Sequence, residues 1–237
     1  MIQTEGIFVG GSAISAPIIG EDFNWSGGDG TYQVLDDGGG NWRIKFLSSG
    51  TFTPLKNMVI DVFLVGGGGG AGSSYCGEGG AGYTTTVRSI VLAANTAYPI
   101  VVGAAGTNGN PSSAGGETTA FTASAAGGKN TSNGTSSSKR PGGAGGSGGA
   151  GYVSPVATTT GGTDGGDGTS SATAGGKGQG TTTREFGEAD GDLYASGGGS
   201  NLSATVANSG NGGRNGITSI EPADGIVVIR QHKEVAA

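Results

Sequence analysis

Short apolar or β-branched runs, separated by long tracts of glycine, make up most of this chain. Trp42-Arg43-Ile44-Lys45-Phe46-Leu47 and Thr51-Phe52-Thr53 flank Ser48-Ser49-Gly50, a pattern that predicts a β-hairpin. Residues 59–65 read as an apolar strand that runs directly into the glycines at 66–70. Residues 83–87 and 89–92 are β-branched and predict two further strands. Residues 98–102 follow, with Pro99 marking a strand start or a sheet edge. Residues 118–125 alternate loosely, and residues 225–230 predict the last strand. That last strand is the natural partner for residues 59–65, and their pairing would close a domain.

The tracts between these strands carry a second pattern. Gly142 to Gly151 reads GGAGGSGGAG, with a small side chain every third residue. Polyproline II has three residues per turn and rises about 3.1 Å per residue, so this stretch predicts a rod roughly 30 Å long. Rods without side chains can lie side by side and exchange N–H···O bonds, with help from Cα–H···O contacts. Residues 66–72, 77–82, 175–180 and 197–199 are further candidates. The bland alternative is a set of flexible Gly/Ser linkers. The chain holds 55 glycines in 237 residues, and each would cost a helix interior about 1 kcal/mol relative to Ala. Collagen is excluded by its strict three-residue glycine repeat and its demand for more proline than the 7 present. The expected fold is therefore mainly β and irregular. A small β-sheet framework surrounds packed polyglycine II helices as a glycine-rich sandwich, with essentially no α-helix.

The order of segments resembles the glycine-rich domain of bacteriophage and prophage tail-fibre and adhesin proteins. The stretches that carry the resemblance are SGTFTPLKNMVIDVFLVGGGGGAG (49–72), GGAGYTTTV (79–87), YPIVVGAAG (98–106) and GETTAFTASAAGGK (116–129). GGTDGGDG (161–168), GKGQGTTTREFGEADGDLYASGGGS (176–200) and DGIVVIR (224–230) continue it. It covers residues 45–231, and the block from GQGTTTREFGE to LYASGGG is its most specific part. The resemblance implies polyglycine II rods packed as a sandwich, with loops at one end that recognise a host surface. It also implies a division into residues 1–41, an attachment segment to a fibre or other virion part, and residues 42–237, the glycine-rich domain.

Charge and candidate chemistry narrow the function. The net charge is −6 and no basic cluster exceeds Lys139–Arg140, which argues against nucleic-acid partners. The apolar run at 58–65 is interrupted by Asp61 and is too short to span a bilayer, so no membrane insertion is expected. The first residues lack a basic region followed by a hydrophobic core, so export would follow lysis or assembly on a particle. One Cys (Cys76) and one His (His232) cannot supply the usual ligands of a zinc site. His232 lies near the C-terminus and is expected to be a solvated tail residue, so an enzyme and a cofactor are not expected. Calcium is the alternative: Asp164 and Asp167 sit in a turn-rich GGTDGGDG, and Glu188, Asp190 and Asp192 form an acidic cluster.

Loops between rigid rods are where recognition residues sit. Tyr75, Tyr152, Phe186 and Tyr194 are therefore candidate receptor-binding aromatics, each with an apolar face and, in Tyr, a polar handle. The competing reading has these rings capping rods and filling space that glycine cannot. Asn130 and Asn133 belong to the Ser/Thr/Asn-rich stretch 129–139, a candidate exposed tip. Arg184 and Glu185 are expected to make internal contacts. The expected function is that of a non-enzymatic virion protein, a tail fibre or tail tip, made in the host cytoplasm and acting extracellularly. Its partners would be a bacterial surface receptor, either glycan or outer protein, and other virion proteins through residues 1–41, with a homotrimer as one arrangement. The alternatives are a purely structural capsid decoration or head fibre, and a cellular protein with a glycine-rich extracellular domain.

Overall fold

The computed structural model describes residues 22–28, 30–38, 40–73, 76–132, 142–151, 183–199, 205–214 and 219–232. Among the described residues ten strands are arranged as two antiparallel sheets. They are β1 (Phe23–Trp25), β2 (Tyr32–Gly38), β3 (Asn41–Phe46), β4 (Gly50–Pro54) and β5 (Met58–Val65). β6 (Thr84–Leu92), β7 (Tyr98–Val101), β8 (Thr118–Ala120), β9 (Ala123–Ala125) and β10 (Ile226–Gln231) follow. One sheet runs β1-β4-β7-β8-β9 and the other β2-β3-β10-β5-β6. As expected, β10 pairs with β5, from Ile226 opposite Val65 to Gln231 opposite Ile60.

Period-two alternation decides which side chains meet between the sheets. Ile44, Phe46, Ile60, Val62, Leu64, Val227 and Ile229 of the second sheet pack with Phe23, Phe52, Ile100 and Ala120 of the first. The rings of Phe46 and Phe52 meet edge to face at 5.8 Å. That contact corrects the expected hairpin. β3 and β4 do not pair with each other; Ser48 and Ser49 turn a corner that carries the chain from one sheet to the other. Both strands hold an inward Phe, and the two rings face each other only if the strands lie in opposite sheets.

The strands expected at 83–87 and 89–92 are one strand, β6, with a bulge. Ile60 pairs with Ile90 and Val62 with Val87, so Arg88 and Ser89 together oppose Asp61. Ser89 takes φ +59° at this point. Residues 23–38, expected within an attachment segment, supply an edge strand to each sheet: β1 pairs with β4 and β2 with β3.

Beyond the sheets the chain continues as glycine rods, and their hydrogen bonds rotate with a three-residue period. In residues 66–71 the amides of Gly66 and Gly69 bond to the carbonyls of Tyr83 and Gly80, while those of Gly67 and Gly70 bond to Gly116 and Ser113. Gly68 turns to Ala223. The carbonyls follow suit: Gly67 and Gly70 accept from Gly128 and Thr131, Gly68 and Ala71 from Gly106 and Gly109, and Gly69 from Gly213. One rod thus has six neighbours, the pattern of polyglycine II. Residues 78–83 repeat it. Their amides bond to Ala150, Gly213, Lys129, Ser147, Gly210 and Ala126 in turn, so positions three apart share a neighbouring rod.

The stretch 142–151 is not the single long rod that its repeat predicts. Gly143 and Gly146 donate to Glu78 and Ala81, running parallel to the central rod. Ser147 and Ala150 accept from Ala81 and Glu78, running antiparallel, and Gly149 donates to Gly143. The chain therefore doubles back between Gly146 and Ser147. The rod it embraces is only six residues long, about 19 Å at polyproline II rise, and a straight ten-residue rod would overhang it.

Close approach makes glycine obligatory at these crossings. A Cβ at Gly68 would lie 1.8 Å from the Asn211 carbonyl oxygen, whereas one at Gly116 would lie 3.0 Å from the Ala104 nitrogen. Gly68→Ala is expected to cost well over the about 1–3 kcal/mol of ordinary overpacking, and Gly116→Ala to fall within it. Thermal melts of the two variants test the order, and equal melting temperatures would contradict this packing.

Candidate functional site: the loop end and the charged strap

The rods leave the sheets at Gly66, Tyr83, Gly103, Ala126 and Gly225 and run to an opposite end. There the described residues 71–73, 76–77, 108–113, 130–132, 214 and 219–220 come together, from places far apart in sequence. Two buried or half-buried polar side chains tie them. Asn108 Oδ1 accepts from the Ala71 amide at 2.8 Å. Its Nδ2 donates to the carbonyls of Ile220 at 2.9 Å and Arg214 at 3.2 Å. Thr131 Oγ1 accepts from the Gly72 amide at 3.0 Å and donates to the Gly77 carbonyl at 2.6 Å.

Around these ties the surface is small and polar. Ser73, Asn110, Pro111, Asn130, Ser132 and Ser219 are exposed there. Asn130 Nδ2 donates to the Ser112 carbonyl at 2.9 Å, and Cys76 Sγ donates to the Gly72 carbonyl at 2.8 Å. Of the candidate receptor residues, Asn130 lies on this surface. Tyr75, Tyr152 and Asn133 lie outside the described residues, as do Asp164 and Asp167.

Phe186 and Tyr194 are elsewhere, and buried at 2% and 7% exposure. They belong to a strap, residues 183–195, laid across the outer face of the second sheet. Phe63 meets the Phe186 ring at 6.2 Å and the Tyr194 ring at 5.5 Å. Phe186 takes φ +55° within a short 3-10 turn, Glu185–Gly187, and its ring lies 4.1 Å from the Arg230 guanidinium. This burial removes both rings from any surface that a receptor would meet; they fill the sheet face instead.

The strap is also held by charge. Glu185, 1% exposed, bonds to Arg43 and sits 2.9 Å from Lys45 Nζ, which donates to Asp192 at 2.7 Å. The expected internal role of Arg184 and Glu185 is met, with Arg184 donating to the Gly191 carbonyl at 2.9 Å. Burial alone would lower the Lys45 pKa, but Asp192, Tyr194 and Glu185 outweigh it and hold the ammonium above its ordinary range. Burial pushes the Tyr194 phenol up to about 12, against the pull of Lys45. Glu188 pairs with Arg230 at 2.7 Å, so of the acidic cluster Glu188 and Asp192 already serve cations of the sheet. Among the described residues no three His, Cys, Asp or Glu side chains are grouped to hold a metal ion.

Asp61 is the deepest charge, with no solvent exposure. It accepts from Arg230 Nε at 3.2 Å, Arg88 Nη1 at 3.2 Å and the Ser89 amide at 3.1 Å. His232 corrects a second expectation. It is not a solvated tail residue: its amide donates to Val59 and its Nδ1 lies 2.6 Å from Asp61 Oδ1. Ser89, His232 and Asp61 have the composition of a hydrolase triad but not its relay. Ser89 Oγ is 3.0 Å from Nε2 and 3.4 Å from Nδ1, which places it beside the ring. An oxygen on the Nε2 lone-pair axis would be far more distant from Nδ1.

Residues 47–230 match a glycine-rich domain family, most of the chain. The chain belongs to this glycine-rich domain family. A comparison with curated proteins gives no match. In this glycine-rich domain the sequence reading missed Asn108 and Thr131, which have no motif. It also missed the Asp61–Arg230 pair, although a lone Asp in an apolar strand opposite a lone Arg in its partner was a usable signal.

Asn108→Ala is expected to cost about 1–3 kcal/mol, since it strands buried partners, and to speed hydrogen exchange at the Ala71 amide. Unchanged exchange there would contradict its role as a tie. Asp61→Asn is expected to cost about 3–5 kcal/mol by breaking the buried Asp61–Arg230 pair, which leaves Arg230 with the half-exposed carboxylate of Glu188. Asp192→Asn, whose carboxylate is mostly exposed, is expected to cost under about 1 kcal/mol. Burial would raise the Asp61 pKa, but its bonds with His232, Ser89 and Arg230 hold it below the ordinary range; Asp192 is held low by Lys45. Both groups thus stabilise the fold above the unfolded carboxylate pKa of about 3.9. That stabilisation is lost as pH falls through their lower folded values. Acid unfolding of Asp61→Asn should be correspondingly shallower than that of the parent between pH 5 and 2, in about 0.1 M salt.

Proposed function

We propose that this chain is a bacteriophage virion protein, a tail fibre or tail tip, that binds the bacterial surface without catalysis. The observation that carries the reading is the polarity of the molecule. Asp22 and His232, on the outer flanks of β1 and β10, are bonded to Leu55 and Val59 at the end of the sheets away from the rods. The polar loops lie at the far end of the rods. Such a shape holds a mount at one end and presents hydroxyl and amide groups at the other. The resemblance to phage tail-fibre domains along residues 45–231 supports the same assignment. Many copies on one particle would multiply a modest single-site affinity.

Purified protein is expected to stain susceptible cells and to compete with virions for adsorption. Asn130→Trp, at the exposed loop end, should weaken that competition at least tenfold while leaving the melting temperature unchanged. Saturating protein that neither stains cells nor competes would overturn the reading in favour of a structural decoration or head-fibre role.

A further inference from the structure

The geometry points to a binding site for a neutral saccharide in the cleft between the strap and the turn at 206–209, on the outer face of the second sheet. The cleft has a volume of about 380 Å³. Ligand clefts run from roughly 300 to 1,000 Å³, so this one suits a short sugar and not a folded partner. The second sheet supplies its floor: Gln33 and Lys45 are register partners on β2 and β3, and Leu47 and Ile226 complete it. The strap forms one wall through Asp192, Leu193 and Tyr194, and Val206 and Asn208 form the other.

The charges in the cleft answer one another, so its ligand is neutral. Lys45 Nζ lies 2.9 Å from Glu185 and 2.7 Å from Asp192, which leaves no spare cation for an anionic ligand. The polar atoms with capacity to spare are hydrogen-bonding groups. Asn208 Nδ2 donates to the carbonyls of Leu47 and Gly225, both at 2.9 Å, and Oδ1 remains as an acceptor. Asp192 gives Oδ2 to Lys45 and keeps Oδ1, on a side chain that is 65% exposed. The Gln33 amide, exposed on β2, offers both donors and an acceptor. Beside these groups the surface is aliphatic, with Leu193 and Val206 exposed at 48% and 58%. Sugar hydroxyls donate and accept at such groups, while the C–H faces of the ring cover the aliphatic side chains. An extended peptide fits less well, because the strap's backbone is already engaged: the Asp192 carbonyl accepts from Glu185, and the Tyr194 amide donates to Thr183. The inference stands apart from what the loop end binds.

Titration of the full chain with the methyl glycosides of glucose, galactose, mannose and N-acetylglucosamine, followed by ligand-observed NMR, tests it. At least one is expected to bind with a millimolar Kd. Gln33→Ala should weaken that binding about two- to tenfold, the effect of one lost hydrogen bond, without moving the melting temperature. Val206→Trp, which fills the mouth of the cleft, should abolish it. Asn130→Trp, at the far end of the rods, should leave it unchanged. Binding of a glycoside by protein that does not stain cells would support the cleft and count against the adsorption reading alone. No binding by any of the four, or binding that neither cleft variant weakens, would overturn the proposal. So would tighter binding of tetramethylammonium, acetate or N-acetylalanine amide, which would assign the cleft to a cation, an anion or a peptide.

Discussion

Everything in this molecule beyond the two sheets depends on backbone packed against backbone. At Gly68 the gap to the neighbouring carbonyl leaves no room for a single carbon. Six rods around one are possible because residues 66–70 are all glycine and project nothing. The arrangement is self-consistent but not self-supporting. Ordering one residue costs about 1–2 kcal/mol, and more for glycine, while a backbone hydrogen bond returns about 0.5–1.5 net. A lone rod would therefore not hold. The strands make up the difference by fixing the rods at their roots, so that β5 delivers Gly66 and β10 receives Gly225 already in register. The conventional core and the glycine bundle are one cooperative unit, in which the first supplies free energy and the second supplies reach.

The outer face of the second sheet shows how the same unit manages a polar problem. Asp61 interrupts an otherwise apolar strand, and burying it alone would be prohibitive. The bulge at Arg88–Ser89 turns one guanidinium and one amide toward it, and Arg230 arrives from the paired strand. The strap then completes the layer, because Glu185 and Glu188 answer cations that the sheet presents. Buried ion pairs of this kind add little net stability over an apolar replacement. Their contribution is to register: Glu185 finds two partners only when the strap lies where Phe186 covers Arg230.

Much of the architecture was legible in the sequence, and the failures have physical causes. Continuous apolar runs located β5 and β10, and the closing of a domain made them partners; in the fold their inward positions, 60, 62 and 64 on one and 227 and 229 on the other, share a face. The three-residue beat announced rods, but not their length, which is set by the six-residue rods they embrace and so by distant sequence. The corner at Ser48–Ser49 read as a hairpin because turn residues look alike in both; only the facing of Phe46 and Phe52 separates them. Phe186 and Tyr194 read as recognition residues because local sequence cannot show that a sheet face waits to be covered. His232 read as tail for the same reason. At the loop end, Asn108 and Thr131 act through backbone partners, and such partners leave no trace in composition.

The glycine bundle also decides how the loop end can vary. In a side-chain core, a loop change propagates through packed neighbours, because each buried side chain touches many others. Here the loops join rods at residues such as Gly72, Gly77 and Gly142, which project nothing into the bundle. Among the described residues, the loop end is held to the rods by backbone hydrogen bonds and by side-chain ties such as Asn108 and Thr131. Which loops are neighbours is fixed by the rod lattice, whereas what they display is not. An architecture that spends its glycines on the scaffold thus leaves the chemistry of its far end free of the demands of folding.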